Sequence, residues 1–404
     1  MKKKNLTIYY GLIMAIYSLG FVTMSAFSSV FLLDVGFSNG QVGTLLALGG
    51  LLAALLQPLT GSLIDKNPKV STRKVVLLLS AAIVAIGLLI IFIPGKTLAI
   101  NAVLYCLAIL CLMLAQPFMN ALGMEALNSG YSLNFGVSRA MGSLGYAIGS
   151  YVFGIITVAV GPKSIPIAFA IALFVLSLIL FFYPNTGNSK ESDIKEGVKE
   201  EKSQEKTRVE NPLLFLGRYK NFSVMLIGLV LIYFSHSLLN TFALQVLVPK
   251  GGNSESMGTA SAIAAICELI TTLLFVFYMK RIKLNLLLKI SGVFFTVKTL
   301  LSLLVTSVNA FYLVQTLQMF GWGLLYTGVV FYVNFLVGEE DKAKGQAFAG
   351  MSYTVASVLA TFFGGFIIDA LGVDMMLIMG TVSSFIGTVI LWITCKQVDT
   401  SGIA

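Results

Sequence analysis

Arg139 is a guanidinium set in an otherwise apolar stretch, Phe135-Gly-Val-Ser-Arg-Ala-Met-Gly-Ser-Leu-Gly-Tyr146. Tyr146 follows by two helical turns, and seven steps of about 100° return to the same helix face. Glu125 ends the preceding apolar segment, one short loop upstream, so its carboxylate is expected to meet the guanidinium. Such a pair offers fixed acceptors and a fork of donors, which suits vicinal hydroxyls, and Tyr146 would stack on the apolar face of a ring. The plainer readings are a structural or gating salt bridge for Glu125–Arg139 and simple packing for Tyr146. A second acid, Glu268, and a second base, Lys298, stand inside later apolar segments. Ionisable groups in membrane-length segments are costly unless they face a watery cavity or one another. Asn120, Gln116, Asn240 and Gln245 add hydrogen-bonding groups. His236, the only histidine, reads either as a hydrogen-bonded core residue or as a proton carrier. A protein that moves protons needs a group whose affinity for them changes between states. Glu268 is the first candidate, with Lys298 as its charge partner, and Glu125 the second.

The elements that position these groups follow from composition. Of 404 residues, 57% are hydrophobic and 11% charged, against about 25% charged in a soluble domain. The fold class expected is an all-α membrane protein lying in a lipid bilayer. Its formal charge of +9 is not read as a nucleic-acid signal, because the basic residues sit mainly between apolar segments. Twelve segments reach the roughly 20 residues that span hydrocarbon: 8–33, 41–64, 74–94, 98–125, 134–160, 164–184, 221–247, 256–279, 284–306, 309–336, 344–371 and 373–395. They are numbered below as spans 1 to 12. Lys2 to Lys4, Lys66, Arg73, Lys280, Arg281 and Lys342 fall on one side, Lys96, Lys163 and Lys250 on the other. By the positive-inside bias, both termini are expected in the cytoplasm and the protein in the cell membrane. The start, Met1-Lys-Lys-Lys, reads as the entry to span 1, not as a signal peptide. Cys106, Cys111, Cys267 and Cys395 read as packing residues.

Residues 185–220 are the one sustained hydrophilic stretch and read as a mobile cytoplasmic linker, helical only in part, or alternatively as a regulatory segment with a partner. They divide the chain into two six-span bundles, 1–184 and 221–404. Gly61-Ser-Leu-Ile-Asp65 ends span 2 and Gly365-Phe-Ile-Ile-Asp369 ends span 11. These are read as an internal echo between the halves, at cytoplasmic or membrane-boundary helix ends, of the kind rocking transporters carry.

Gly61 to Asp65, then Lys66 and the pair Arg73-Lys74, resembles the loop signature of the major facilitator superfamily, with a longer insert before the basic pair. The stretch around Arg139 is similar to the fifth helix of the lactose-permease-like oligosaccharide/proton symporters. That resemblance implies twelve helices in two pseudo-symmetric bundles, sugar contact by Arg139, completion of that contact by Glu125, and an aromatic plate. It also places Glu268 at another sugar-binding glutamate and Lys298 at a helix-nine arginine. Gln315, Gln318 and Gly321 stand where the family has a lysine, a histidine and the proton-carrying glutamate. Ser237, Asn240 and Tyr353 likewise replace charged residues. Acids and bases are lost together, as burial cost demands, so the resemblance does not carry the family's proton route across.

The expected function is secondary transport of a small sugar or short oligosaccharide by alternating access, with the proton as coupling ion. An organic-anion or multidrug carrier, an uncoupled sugar facilitator and a membrane sensor signalling through the linker are the alternatives. With no P-loop, metal cluster or nucleophile–base arrangement, no enzyme activity, cofactor or metal is expected, and nothing in the sequence requires more than a monomer.

Overall fold

The computed structural model describes residues 5–66, 71–93, 97–184, 212–338 and 341–398. Twelve helices among them are long and apolar enough to cross a membrane: Thr7–Val35, Asn39–Ile64, Thr72–Phe92, Leu98–Asn128, Phe135–Val160, Ser164–Phe181, Lys220–Thr241, Ser254–Phe275, Leu284–Leu304, Val308–Leu336, Lys344–Leu371 and Val373–Thr394. The all-helical class and the twelve spans expected from hydropathy are borne out. Several spans begin on a side-chain cap: Ser71, Thr97, Asn134, Asn253 and Ser307 each accept from the backbone N–H three residues on. A cap matters most where the first-turn donors leave water for lipid.

Three spans are broken. Span 1 divides at Ala26-Phe27, and span 7 at Phe242. Span 10 runs Val308–Gln315, passes through a 3-10 turn at Thr316–Met319, and resumes at Trp322. Spans 1 and 7 open their respective halves, so their matching breaks are the internal symmetry the fold displays. Gly61 to Asp65 and Gly365 to Asp369 are not equivalent. Span 2 begins away from the chain termini and returns toward them, whereas span 11 runs the other way, so the two motifs lie at opposite ends of the bundle. Glycine and aspartate at a helix end recur for local packing reasons, and that misled the reading of a repeat.

Within the first half, tyrosines tie span 1 to span 4. Tyr10 donates to Met119 O at 2.9 Å and Tyr17 to Leu112 O at 2.8 Å. Tyr105 of span 4 donates back to Met24 O at 3.2 Å. A buried phenol needs a partner, and here carbonyls of the neighbouring helix supply it. The halves meet most extensively through spans 2 and 11 and through spans 5 and 8. Both contacts lie at the end remote from the termini. A Cβ on Gly43 would sit 1.9 Å from Thr361 O, and one on Gly258 would sit 2.2 Å from Ser150 O. Only glycine permits that approach of backbones. At the other end, no described atom comes within 4 Å of a Cβ built on Gly61 of span 2 or Gly350 of span 11. The halves are therefore in close backbone contact at the remote end, while Gly61 and Gly350, toward the end carrying the termini, face open space among the described residues.

Most of the expected linker, 185–211, lies outside the described residues. Its exit does not: Pro212–Arg218 is a short helix, with Phe215 buried and stacked on Phe348 at 5.3 Å. Beside it Asp341 accepts from Arg218 Nη1 at 3.1 Å, Tyr219 Oη at 3.0 Å and Lys344 Nζ at 3.1 Å. Burial alone would raise this carboxyl. The hydrogen bonds from Lys344 and Tyr219, with the charges of Lys344 and Arg218, outweigh it and hold the group below the ordinary aspartate value.

Candidate functional site

Between the halves lies a cavity of about 530 Å³, within the range of small-molecule sites. Span 5 supplies Arg139 and Tyr146. Asn134 caps that span, its N–H donates to Thr7 Oγ1 at 2.9 Å, and Ser138 Oγ donates to Thr7 O at 2.8 Å. Gly145 rests against the Ala15 backbone. Span 5 is thus pinned to span 1 on one face and presents the Arg139–Tyr146 face to the cavity, as the seven-residue spacing requires.

The second half supplies Glu268 from span 8, the sole acid lining the cavity among the described residues. The indole N–H of Trp322 is directed at its carboxylate, and Arg139 and Lys298 are within electrostatic reach. Trp322 belongs to an aromatic column. The His236 ring stacks on it at 4.3 Å and the Tyr326 ring at 5.2 Å. Arg139 closes the column from the opposite half, its guanidinium carbon 5.9 Å from the Tyr326 centroid and Nη2 3.4 Å from the Tyr326 hydroxyl. Asn240 Nδ2 lies 2.8 Å from His236 Nε2.

The structure brings Asn120, Arg139, Tyr146, Asn240 and Glu268 to one cavity. It does not bring Glu125 there. Glu125 accepts from the Thr72 hydroxyl at the end of the bundle carrying the termini. Span 4 turns Gln116 and Asn120 into the cavity, and nine residues beyond Gln116 is two and a half turns, so Glu125 faces the other way. The expected pairing of Glu125 with Arg139 fails on helix phase. Lys298 is within electrostatic reach of Glu268 but does not line the cavity. It is buried behind the cavity wall, and its Nζ donates to Gln318 Oε1 at 2.5 Å.

Among the residues read as gating or structural, Arg73 donates to Tyr183 O. Asp65 and Lys66 fall in the last turn of the second helix, and their side chains lie outside what is described. Asp369 has a defined role. Its carboxylate accepts from Gly40 N at 2.7 Å, Asn39 Nδ2 at 2.8 Å and Asn39 N at 3.2 Å. It therefore caps span 2 from the other half, beside Gly365 against the Asn39 backbone. Gln245 Nε2 completes the cluster by donating to Asn39 Oδ1 at 2.9 Å. The residues sequence reasoning missed are Trp322 and Tyr326. One of only two tryptophans, four residues before a tyrosine in an uncharged span, was the signal available.

The family model described as "MFS_1 like family" matches residues 6–379. The chain belongs to the MFS_1-like family. This MFS membership confirms the superfamily expected from the Gly61 and Arg139 stretches, and the chain is a multi-pass membrane protein. It is 28% identical over 201 residues to an uncharacterized MFS-type transporter, YxaM, of Bacillus subtilis (strain 168), a match covering 46% of each chain. Among solved structures this MFS fold resembles a mutant of the nucleoside transporter NupG, with TM-score 0.78, 15% identity, and 97% and 100% of the two chains covered. It also resembles a D-xylose-proton symporter, with TM-score 0.70, 12% identity and 96% and 98% covered. A bacterial homolog of the human lysosomal transporter Spinster, in an inward-facing and unoccupied conformation, aligns with TM-score 0.68, 14% identity and 96% and 95% covered. Likenesses at these identities speak for the fold.

Proposed function

We propose that this MFS protein is a secondary transporter of a small, neutral, hydroxyl-rich solute, a sugar or short sugar-containing molecule, coupled to protons. The observation that carries this reading is the cavity wall itself. One carboxylate from the second half and one guanidinium from the first face a shared space lined by tyrosines and a tryptophan. Acceptors, donors and ring faces together are what a polyol ring requires. Both the carboxylate and the guanidinium must be approached by one solute, so binding links the halves, as alternating access demands.

Glu268 is the proton carrier in this reading, being the single acid at the cavity among the described residues. Tyr146 and Tyr326 serve as plates for the ring, and Asn120 and Asn240 as neutral hydrogen-bonding groups. In this reading the end carrying the termini, rich in basic residues, faces the cytoplasm, and the conformation is open to the inside. The D-xylose-proton symporter and the inward-facing Spinster homolog among its structural likenesses support both parts of this reading. One chain is the proposed transport unit, every residue of the cavity wall belonging to it.

The test is uptake into proteoliposomes with an interior pH dye, across a panel of galactosides, glucosides and D-xylose. Saturable uptake with interior acidification that follows the sugar supports symport. A second reading, an organic-anion carrier, is favoured by one observation: Arg139 makes no ion pair among the described residues, leaving the cavity a cation for a carboxylate. Uptake of phenylpropionate, with no uptake of any sugar, would replace the first reading with this one.

A further inference from the structure

Lys298 is 2% exposed and does not line the cavity, yet it is charged in sequence and has no carboxylate at its nitrogen among the described residues. Its partner is an amide, Gln318, and the direction of that bond has a consequence. An ammonium has three donors and no acceptor, so it fixes the amide oxygen toward itself. The Gln318 NH2 must then face the other way. Gln318 is itself 4% exposed and lines the cavity. Gln315, one turn earlier and also in the wall, is 5% exposed and has an amide nitrogen with no protein partner. Both amides stand at the break in span 10, where the turn Thr316–Met319 carries the helix into Trp322.

We infer that Gln318 and Gln315 form a donor subsite next to the Glu268–Arg139 site, and that Lys298 is the positioning residue that sets its polarity. The inference rests on the sugar reading above and deepens it. Gln318 precedes Trp322 by four residues, roughly 6 to 8 Å at helical and 3-10 rises. That is about the width of one more ring. The solute is therefore of two parts: a hydroxyl-bearing ring at Glu268 and Arg139, and a second group whose neutral acceptor oxygen meets the amides. A disaccharide's second ring and a nucleoside's base carbonyl share that chemistry. A free monosaccharide lacks the second part. The buried lysine explains why the subsite would prefer a neutral acceptor. It polarises the amide from behind the wall and offers an anion no direct contact.

The experiment uses the full chain in detergent, with Trp392→Phe so that Trp322 alone reports binding by fluorescence. The probes are lactose, uridine and methyl β-D-galactoside. At least one two-part probe is expected to bind about tenfold tighter than methyl galactoside, one lost hydrogen bond to a polarised donor being worth about that factor. Gln318→Met should erase that advantage while leaving methyl galactoside within about twofold, which also reports an intact fold. Gln318→Glu, which keeps a partner for Lys298 but removes the donor, should do the same. Lys298→Arg should preserve the preference, and Lys298→Met should lose it without altering methyl galactoside binding. Lactose responding alone assigns a sugar ring to the subsite, and uridine alone a base carbonyl. Equal affinity for all three probes overturns the subsite, as does a uniform loss of all three in Gln318→Met and Gln318→Glu alike. No saturable binding of any probe to the protein with its native cavity residues overturns the sugar reading on which the inference stands.

Discussion

Arg139 reaches across the cavity to the Tyr326 hydroxyl from the first half, while Glu268 stands opposite on the second. Replacing Arg139 by alanine removes a charged donor. The expected result is about 10- to 100-fold weaker solute binding, the range for a hydrogen bond to a charged group. Arg139→Lys should recover only part of it, because a point charge replaces a planar fork. Equilibrium binding of the two variants checks both statements. This residue was legible in sequence because a guanidinium inside a hydrocarbon-length segment demands a reason. Glu268 was legible on the same ground. Glu125 was misplaced for a different cause. Sequence gives a residue's position along a helix and its phase relative to neighbours on that helix. It does not give which face turns inward, and Glu125 sits half a turn wrong for the cavity. Trp322 left a weaker trace, since an aromatic in an apolar span is ordinary until its indole N–H is seen to face a carboxylate.

At the scale of elements, the contact that seals the remote end is a helix cap delivered across the interface. Asp369 at the close of span 11 accepts three hydrogen bonds from the start of span 2. Losing a cap costs about 0.5–2 kcal/mol, enough to change a two-state ratio by roughly 2- to 30-fold. Asp369→Ala should shift the population toward opening at that end. Spin labels at Lys163 and Lys250, in loops of the two halves at the remote end, should then show an added longer distance. An unchanged distance distribution would show that glycine packing alone holds the seal. The exit helix Pro212–Arg218 makes a second, pH-dependent contact through Asp341. A carboxyl held below its unfolded value stabilises the fold at pH values above that unfolded value, about 4. The contribution is lost as pH falls through the folded value. The thermal midpoint of the native protein should exceed that of Asp341→Asn at pH 7, with the gap closing below about pH 4. A constant gap across that range would contradict the assignment. Hydropathy placed all twelve spans within a few residues. It missed the break in span 10, where no proline stands and the 3-10 turn is set by packing of the surrounding spans.

For the whole molecule, the two halves meet closely at the end remote from the termini, with a cavity between them. The two halves were read from the hydrophilic stretch after span 6, most of which, 185–211, lies outside the described residues. The close contact at the remote end was not legible, because Gly43 with Thr361 and Gly258 with Ser150 are pairs distant in sequence, and any of the chain's 38 glycines could have served. The apparent echo between Gly61 and Gly365 even pointed the wrong way. What the assembled halves add is a reason for an acid in the wall of the cavity between them. In the proposed cycle Glu268 faces Arg139 and Trp322 in one state, and rocking of the halves separates it from Arg139 in the other. Solute and proton would then share one pair of residues.

That linkage is most directly tested by comparing Glu268→Gln with the native protein in proteoliposomes, measuring proton-gradient-driven sugar accumulation and sugar counterflow side by side. Glutamine keeps the shape and hydrogen bonding of the neutral acid but holds no exchangeable charge. Counterflow at a rate near native, with accumulation against a gradient abolished, is the expected result. Accumulation that persists in Glu268→Gln would show that the proton travels by another group, and coupling through Glu268 would have to be abandoned.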